Sequence, residues 1–163
     1  MSDENGKQPS HRSRDLYRAA LALLELAACS KPQSGPDGRI QAPAITPLPG
    51  ALALRLAYCR NSLNRIRETI DEEQKAVRVR HDVEEKKDLK TPEAIAAWTE
   101  HAQAAEKELR EMMEGEREWS PPATIRVGQL LDRNLPDDWL AALLTVGVIV
   151  GELPPDEAPD KKK

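Results

Sequence analysis

The chain has no phenylalanine, and its three tryptophans and two tyrosines are the only aromatic rings among 163 residues. A core built on large rings is excluded, so Leu, Ala, Ile and Val must fill the interior. Cysteine is scarce too. Cys29 and Cys59 each sit in an apolar run, where a free thiol behaves as a small hydrophobe. No CxxC pair and no Cys/His spacing supports a structural zinc site. Nothing points to export, which leaves a disulfide between the two cysteines unsupported: Met1 to Arg14 is polar and lacks the apolar centre of a signal peptide. The apolar stretch Leu21 to Cys29 is too short to span a bilayer. The expectation is a cytoplasmic protein without a membrane segment.

Positive charge is not in excess. The formal net charge is −4, and basic residues alternate with acidic ones, so no bulk attraction to a nucleic-acid backbone is expected. Catalytic signatures are missing as well: there is no Gly-rich phosphate loop, nucleophile elbow or Ser-His-Asp order. His11, His81 and His101 lack HxxxH or HExxH partners, although His81 and His101 flank the same predicted turn. The carboxylate pairs Glu72-Glu73, Glu84-Glu85 and Asp137-Asp138 lie on helices, where no shielded pocket is expected to shift a pKa. The reading is therefore of a protein that is not an enzyme, with no metal and no cofactor.

What the chain does have is charge and helical periodicity. Charged residues make up 32% and apolar residues 39%, a balance that suits exposed helices rather than a thick core. One stripe runs Leu52, Leu56, Cys59, Leu63, Ile66, Ile70, Val77. A second runs Ile95, Trp98, Ala102, Ala105, Leu109, Met112, Trp119. Steps of three and four place each set on one helix face. Two such helices joined by a short polar break predict a long antiparallel, coiled-coil-like hairpin over residues 50–119.

Around the hairpin, residues 1–12 are expected to be a disordered tail. Residues 13–30 form a helix capped by Ser13, with Leu16, Ala19, Ala20, Leu23, Leu24 and Ala27 inward. Residues 31–49 carry a density of Pro and Gly that no helix survives, with a turn signal at Pro36-Asp37-Gly38 and a possible extended piece from Arg39 to Ile45. Pro49 starts the first long helix, predicted to run to about Glu85. Glu73 stands where the heptad wants an apolar residue, so the seam should loosen there or the partner should supply a cation. Asp88 to Thr91 forms the tip. Thr91-Pro92-Glu93 starts the second long helix, which runs to about Trp119 and stops at Ser120-Pro121-Pro122. Trp119 closes the base of the hairpin. Residues 123–153 form a helical or α+β closing segment: a short strand turning into a helical turn at 124–131, then a helix from Leu135-Pro136-Asp137-Asp138. Val146 to Leu153 is either strand or helix end. Residues 154–163, with Lys161 to Lys163, form a second disordered tail. Residues 13–153 make one domain.

The best polar cluster is Tyr58, Arg60, Asn61, Asn64 and Arg67. Arg60, Asn64 and Arg67 share a face, and guanidinium forks with amides suit carboxylate or phosphate. One reading is a shallow partner- or anion-binding patch. The other is a solvated flank of the seam, with Arg67 paired to Asp71.

Pro47-Leu48-Pro49 followed by Ala53, Leu56, Ala57 and Arg60-Asn61, then the charged hairpin, then residues 121–127 (PPATIRV) and 135–143 (LPDDWLAAL), resembles small uncharacterised bacteriophage and prophage proteins. The resemblance spans about residues 47–145, leaves out the helix at 14–29 and the Pro-rich linker, and implies a phage context without an assigned activity. The expected function is thus a phage- or prophage-encoded interaction protein that binds a host or phage protein, as assembly chaperone or inhibitor of a host defence. The seams are long for a monomer to cover, which points to a protein partner or a homo-oligomer. The alternative is an oligomer that sequesters an anionic nucleotide through Arg60 and Arg67.

Overall fold

The computed structural model describes residues 8–36, 39–43, 45–83 and 90–152. The chain is mostly helical. In order it runs β1 (Ser10–Arg12), α1 (Ser13–Cys29), β2 (Gln33–Ser34), β3 (Ile40–Gln41), α2 (Gly50–Arg80) and α3 (Pro92–Glu114). There follow β4 (Glu116–Glu118), β5 (Ile125–Arg126), 3-10 turns at Val127–Gln129 and Leu131–Arg133, α4 (Asp137–Thr145) and β6 (Ile149–Val150). The strands join as three small pairs: β1 with β4 and β2 with β3, both antiparallel, and β5 with β6, parallel.

Helix α1 is the hub. Its inward face carries Leu16, Ala19, Ala20, Ala22, Leu23 and Leu26, all buried. The small alanines let a neighbouring helix approach closely, and α1 packs more extensively on α2 than any other pair of elements does. Leu52, Leu56, Cys59 and Leu63 of α2 share one core with that face and with Ile125, Leu130, Leu140, Leu143, Val146, Val148 and Ile149 of the closing segment. Each fully buried aliphatic side chain contributes about 1.5–3 kcal/mol relative to exposure. The first half of the α2 stripe is thus covered by α1 and the C-terminal piece.

Helices α2 and α3 meet lower down. Gln74 reaches the Met113 sulfur at 3.5 Å, and Arg80 and His81 both engage Glu108, His81 at 2.8 Å. As α2 advances, its partners recede along α3. Ile70, Val77 and Ala105 are buried outside the main core. Ala105 is the only buried residue of α3. His81 is therefore held by Glu108, and the pairing of His81 with His101 that the turn allowed does not occur.

Several element ends differ from the sequence expectation, each for a local reason. Residues 10–12 are no tail: they pair with 116–118 in the register Ser10↔Glu118, His11↔Arg117, Arg12↔Glu116. Ser13 does not cap α1 but is its first residue. Its hydroxyl donates to the Gly115 carbonyl at 2.9 Å, and its amide donates there at 2.8 Å. α3 accordingly ends at Glu114, where Gly115 turns into extended backbone, rather than at Trp119. Helix α2 stops at Arg80 because Asp82 adopts a left-handed conformation with φ of 54°. The amides of Asp82 and Val83 then donate to Val79 and Arg78 carbonyls at 3.0 Å each, closing the helix as a Schellman motif. No glycine marks this stop in the sequence, and the helix ends before the expected Glu85.

Other boundaries fall where expected. Thr91 accepts from the Ala94 amide at 3.2 Å with Pro92 in the first turn. Pro49 precedes α2, and α4 begins at Asp137. The segment 146–153 contains a strand at Ile149–Val150. Residues 88–89 of the predicted tip, residues 1–7 of the first expected tail and all of the second, 154–163, fall outside the described residues. Among the described residues, no helix is long and apolar enough to cross a membrane.

Candidate functional site

The five residues singled out by sequence all lie on α2, and the fold gives them three different sets of neighbours. Their positions around a long helix separate them into three environments.

Tyr58 and Asn61 face outward. With Leu54 and Arg65 they make an exposed stripe at spacings of four and three, and Leu54 and Tyr58 are 55% and 56% exposed. Among the described residues, nothing covers this stripe.

Asn64 and Arg67 are committed to a network within the fold. The Asn64 amide donates to Glu68 at 2.7 Å and its carbonyl oxygen accepts from Arg67 Nε at 3.1 Å. The Arg67 guanidinium donates to Asp71 at 2.9 Å, the i,i+4 pair that the sequence allowed. Across the helix interface, the Tyr17 hydroxyl of α1 donates to the other Asp71 oxygen at 2.8 Å. That bond to Asp71, and burial after it, raise the Tyr17 pKa above the usual phenol value. The Arg67 fork is therefore filled by intrachain partners.

Arg60 has a third setting. It borders a cavity of about 230 Å³ between the end of α1, the segment Pro47–Leu48 and the first turns of α2. Leu23, Leu26, Leu48 and Leu56 contribute apolar wall, and Lys31, one residue past the α1 cap, contributes a second cation. No carboxylate lines it. Arg133 donates to the Pro47 carbonyl at 3.0 Å and so ties down that wall, two residues after Ile45, which is buried in the core. A larger groove of about 470 Å³ lies between α1 and α4, where Asp15, Glu25 and Asp138 stand beside Arg18 and Trp139. Its mixed charge selects no ligand sign.

One further arrangement leaves no trace in local patterns, and another does. Lys31 lies in the expected linker, and only the tertiary fold brings it to the cavity that Arg60 borders. The anomaly at Glu73 did carry a signal. The missing cation is Arg117, whose guanidinium donates to Glu73 while its Nε donates to Ser13 at 2.9 Å. The Trp119 indole donates to Ser62 at 2.9 Å and packs with the closing segment in the core, as its place at the hairpin base implied.

Among the described residues, no group of three His, Cys, Asp or Glu comes together in a way that holds a metal ion. Cys59, fully buried, donates to the Ala123 carbonyl at 3.1 Å, and burial raises its thiol pKa. No family model, curated protein or solved structure matches the chain.

Proposed function

We propose that the protein is a non-enzymatic interaction protein that binds another protein through the outer face of its long helices. Residues 50–119 then act as an antiparallel, coiled-coil-like hairpin, with α1 and the closing segment as its rigid base. The observation that carries this reading is the apolar surface left in solvent along both arms: Leu54 and Tyr58 as i,i+4 neighbours on α2, with Val79 and Ile95 each about half exposed. Scattered apolar residues are ordinary on a surface, whereas neighbouring ones rimmed by polar groups mark binding surfaces. Tyr58 and Asn61 carry the contact in this reading, with Leu54 beside them. Aromatic side chains on a preformed helix lose little entropy on binding.

A phage or prophage origin, and a role in the host cytoplasm as assembly chaperone or inhibitor of host defence, rest on the resemblance over residues 47–145. A second copy is the partner only if the seam closes on itself, so sedimentation velocity is the first experiment. The full chain is run alone and with candidate phage assembly and host-defence proteins, beside the variant Leu54→Asp/Tyr58→Asp. A complex that the variant loses supports the proposal. A chain that remains monomeric with every candidate counts against it. The nucleotide-sequestering alternative has less support, because the Arg67 guanidinium is already engaged by Asn64 and Asp71.

A further inference from the structure

We infer that the cavity between the end of α1 and the start of α2 binds a small amphipathic carboxylate, with Arg60 and Lys31 holding its head group. This inference is independent of the protein-binding face. Leu54, Tyr58 and Asn61 do not line the cavity, and the cavity does not depend on the hairpin seam.

Three properties of the site define the ligand. The first is sign. Arg60 and Lys31 border the cavity with no carboxylate among its lining residues, and among the described residues neither side chain has a hydrogen bond or ion pair. Many other arginines here are spent on carboxylates: Arg12 and Arg14 on Glu114, Arg67 on Asp71, Arg80 on Glu108, Arg117 on Glu73. The chain has 28 acidic against 24 basic residues, so acids are not in short supply, and two unpaired cations at one cavity are a local choice of the fold. The helix ends do not alter this sign. The C-terminus of α1 and the N-terminus of α2 both border the cavity, and their opposite dipole fields offset one another.

The second property is polarity. Leu23, Leu26, Leu48 and Leu56 and the alanines between them offer apolar walls without a free side-chain acceptor. The Ser30 hydroxyl is already used, donating to the Ala27 carbonyl at 3.0 Å. An inorganic anion would leave those walls in contact with water. A ligand with an apolar tail satisfies walls and cations together.

The third is size. A volume of about 230 Å³ lies below the range of roughly 300–1,000 Å³ typical of drug-sized ligands. A short alkyl or aryl carboxylate fits this space. A guanidinium fork also matches the planar two-oxygen head of a carboxylate better than it matches a neutral group.

The test is isothermal titration of the full chain with octanoate, beside 1-octanol and inorganic phosphate as separate probes. Octanoate is expected to bind saturably at one site. Arg60→Gln and Lys31→Gln should each weaken it by about tenfold, the size of one lost charge-assisted hydrogen bond. Octanol should bind at least about tenfold more weakly for the same reason, and phosphate should give no saturable heat. Ala57→Phe, which fills the cavity, should abolish octanoate binding. Should that variant fail to fold, the two charge variants still decide the matter, since both positions border solvent. The proposal is overturned by no saturable octanoate binding. It is equally overturned by octanoate binding that both charge variants retain at full strength, by octanol binding as tightly as octanoate, or by phosphate binding as tightly as octanoate.

Discussion

Glu73 and Arg117 stand 44 residues apart in the chain and hydrogen-bond across the junction of α2 with β4. The same guanidinium reaches the buried Ser13 hydroxyl, which in turn donates to Gly115. One arginine thus ties the first residue of α1, the middle of α2 and the exit from α3 together.

Removing that tie is expected to cost more than an ordinary surface ion pair. Arg117→Met should destabilise the protein by about 1–2 kcal/mol, and Ser13→Ala by a similar amount, since each leaves a partly buried polar group short of a partner. The two should be non-additive, with a coupling energy of about 1 kcal/mol in a double-mutant cycle. Glu73 is more open to water, so Glu73→Gln should cost less. Urea denaturation of the four variants checks the order, and full additivity of the pair would show that Arg117 and Ser13 do not act as one unit.

Leu63 and Leu54 lie on the same helix with opposite fates, the first fully buried and the second 55% exposed. Leu63→Ala should lose about 2–5 kcal/mol through the cavity it leaves. Leu54→Ser should change stability by no more than about 0.5 kcal/mol. Thermal and chemical melts distinguish them. A large loss at Leu54 would mean that this face is covered within the monomer, and the proposed docking surface would fail with it.

The two thiols should react at different rates. Cys59 is buried, its hydrogen goes to Ala123 and its pKa is raised by burial, while Cys29 is only half-buried. Labelling with a thiol reagent at neutral pH should show one fast and one slow cysteine, and denaturant should make them equal. Mass spectrometry of the labelled peptides assigns each rate.

Alkali should loosen the contact between α1 and α2. Tyr17 has a folded pKa above its ordinary value of 10.0, chiefly through its bond to Asp71. A raised pKa stabilises the fold fully below the unfolded value, and that contribution is lost as pH rises through the higher folded value. Stability should therefore fall above about pH 10 in the wild type, and Tyr17→Phe should remove most of that slope. At the acid end the sign reverses. Glu108 is lowered, first by its bond to His81, so its contribution is present above its ordinary value of 4.5 and is lost as pH falls through the lower folded value. Carboxyl resonances followed by NMR should show Glu108 titrating higher in His81→Ala.

Much of the secondary structure was legible because its causes are local. Thr91 caps α3 with Pro92 as its first residue, and Pro49 and Pro136 each stand immediately before the first residue of α2 and α4. The heptad of α2 named its inward residues correctly. It did not name their partner, since an apolar stripe records which face seeks cover and says nothing of what supplies it. The stop at Asp82 was hidden for a related reason: a left-handed aspartate depends on the bonds it completes, and its type alone does not announce them.

The candidate site divides along the same line. Composition and periodicity determined a helical chain with thin apolar faces, little aromatic mass, and a run of Arg and Asn on one long helix. Only the tertiary structure decided that Arg67 would be consumed by Asp71, that Tyr58 would be left in water, and that Arg60 would meet Lys31 over an apolar cavity. Helical spacing acts over a single turn, whereas the closing of α1 onto α2 brings together residues that no local pattern connects.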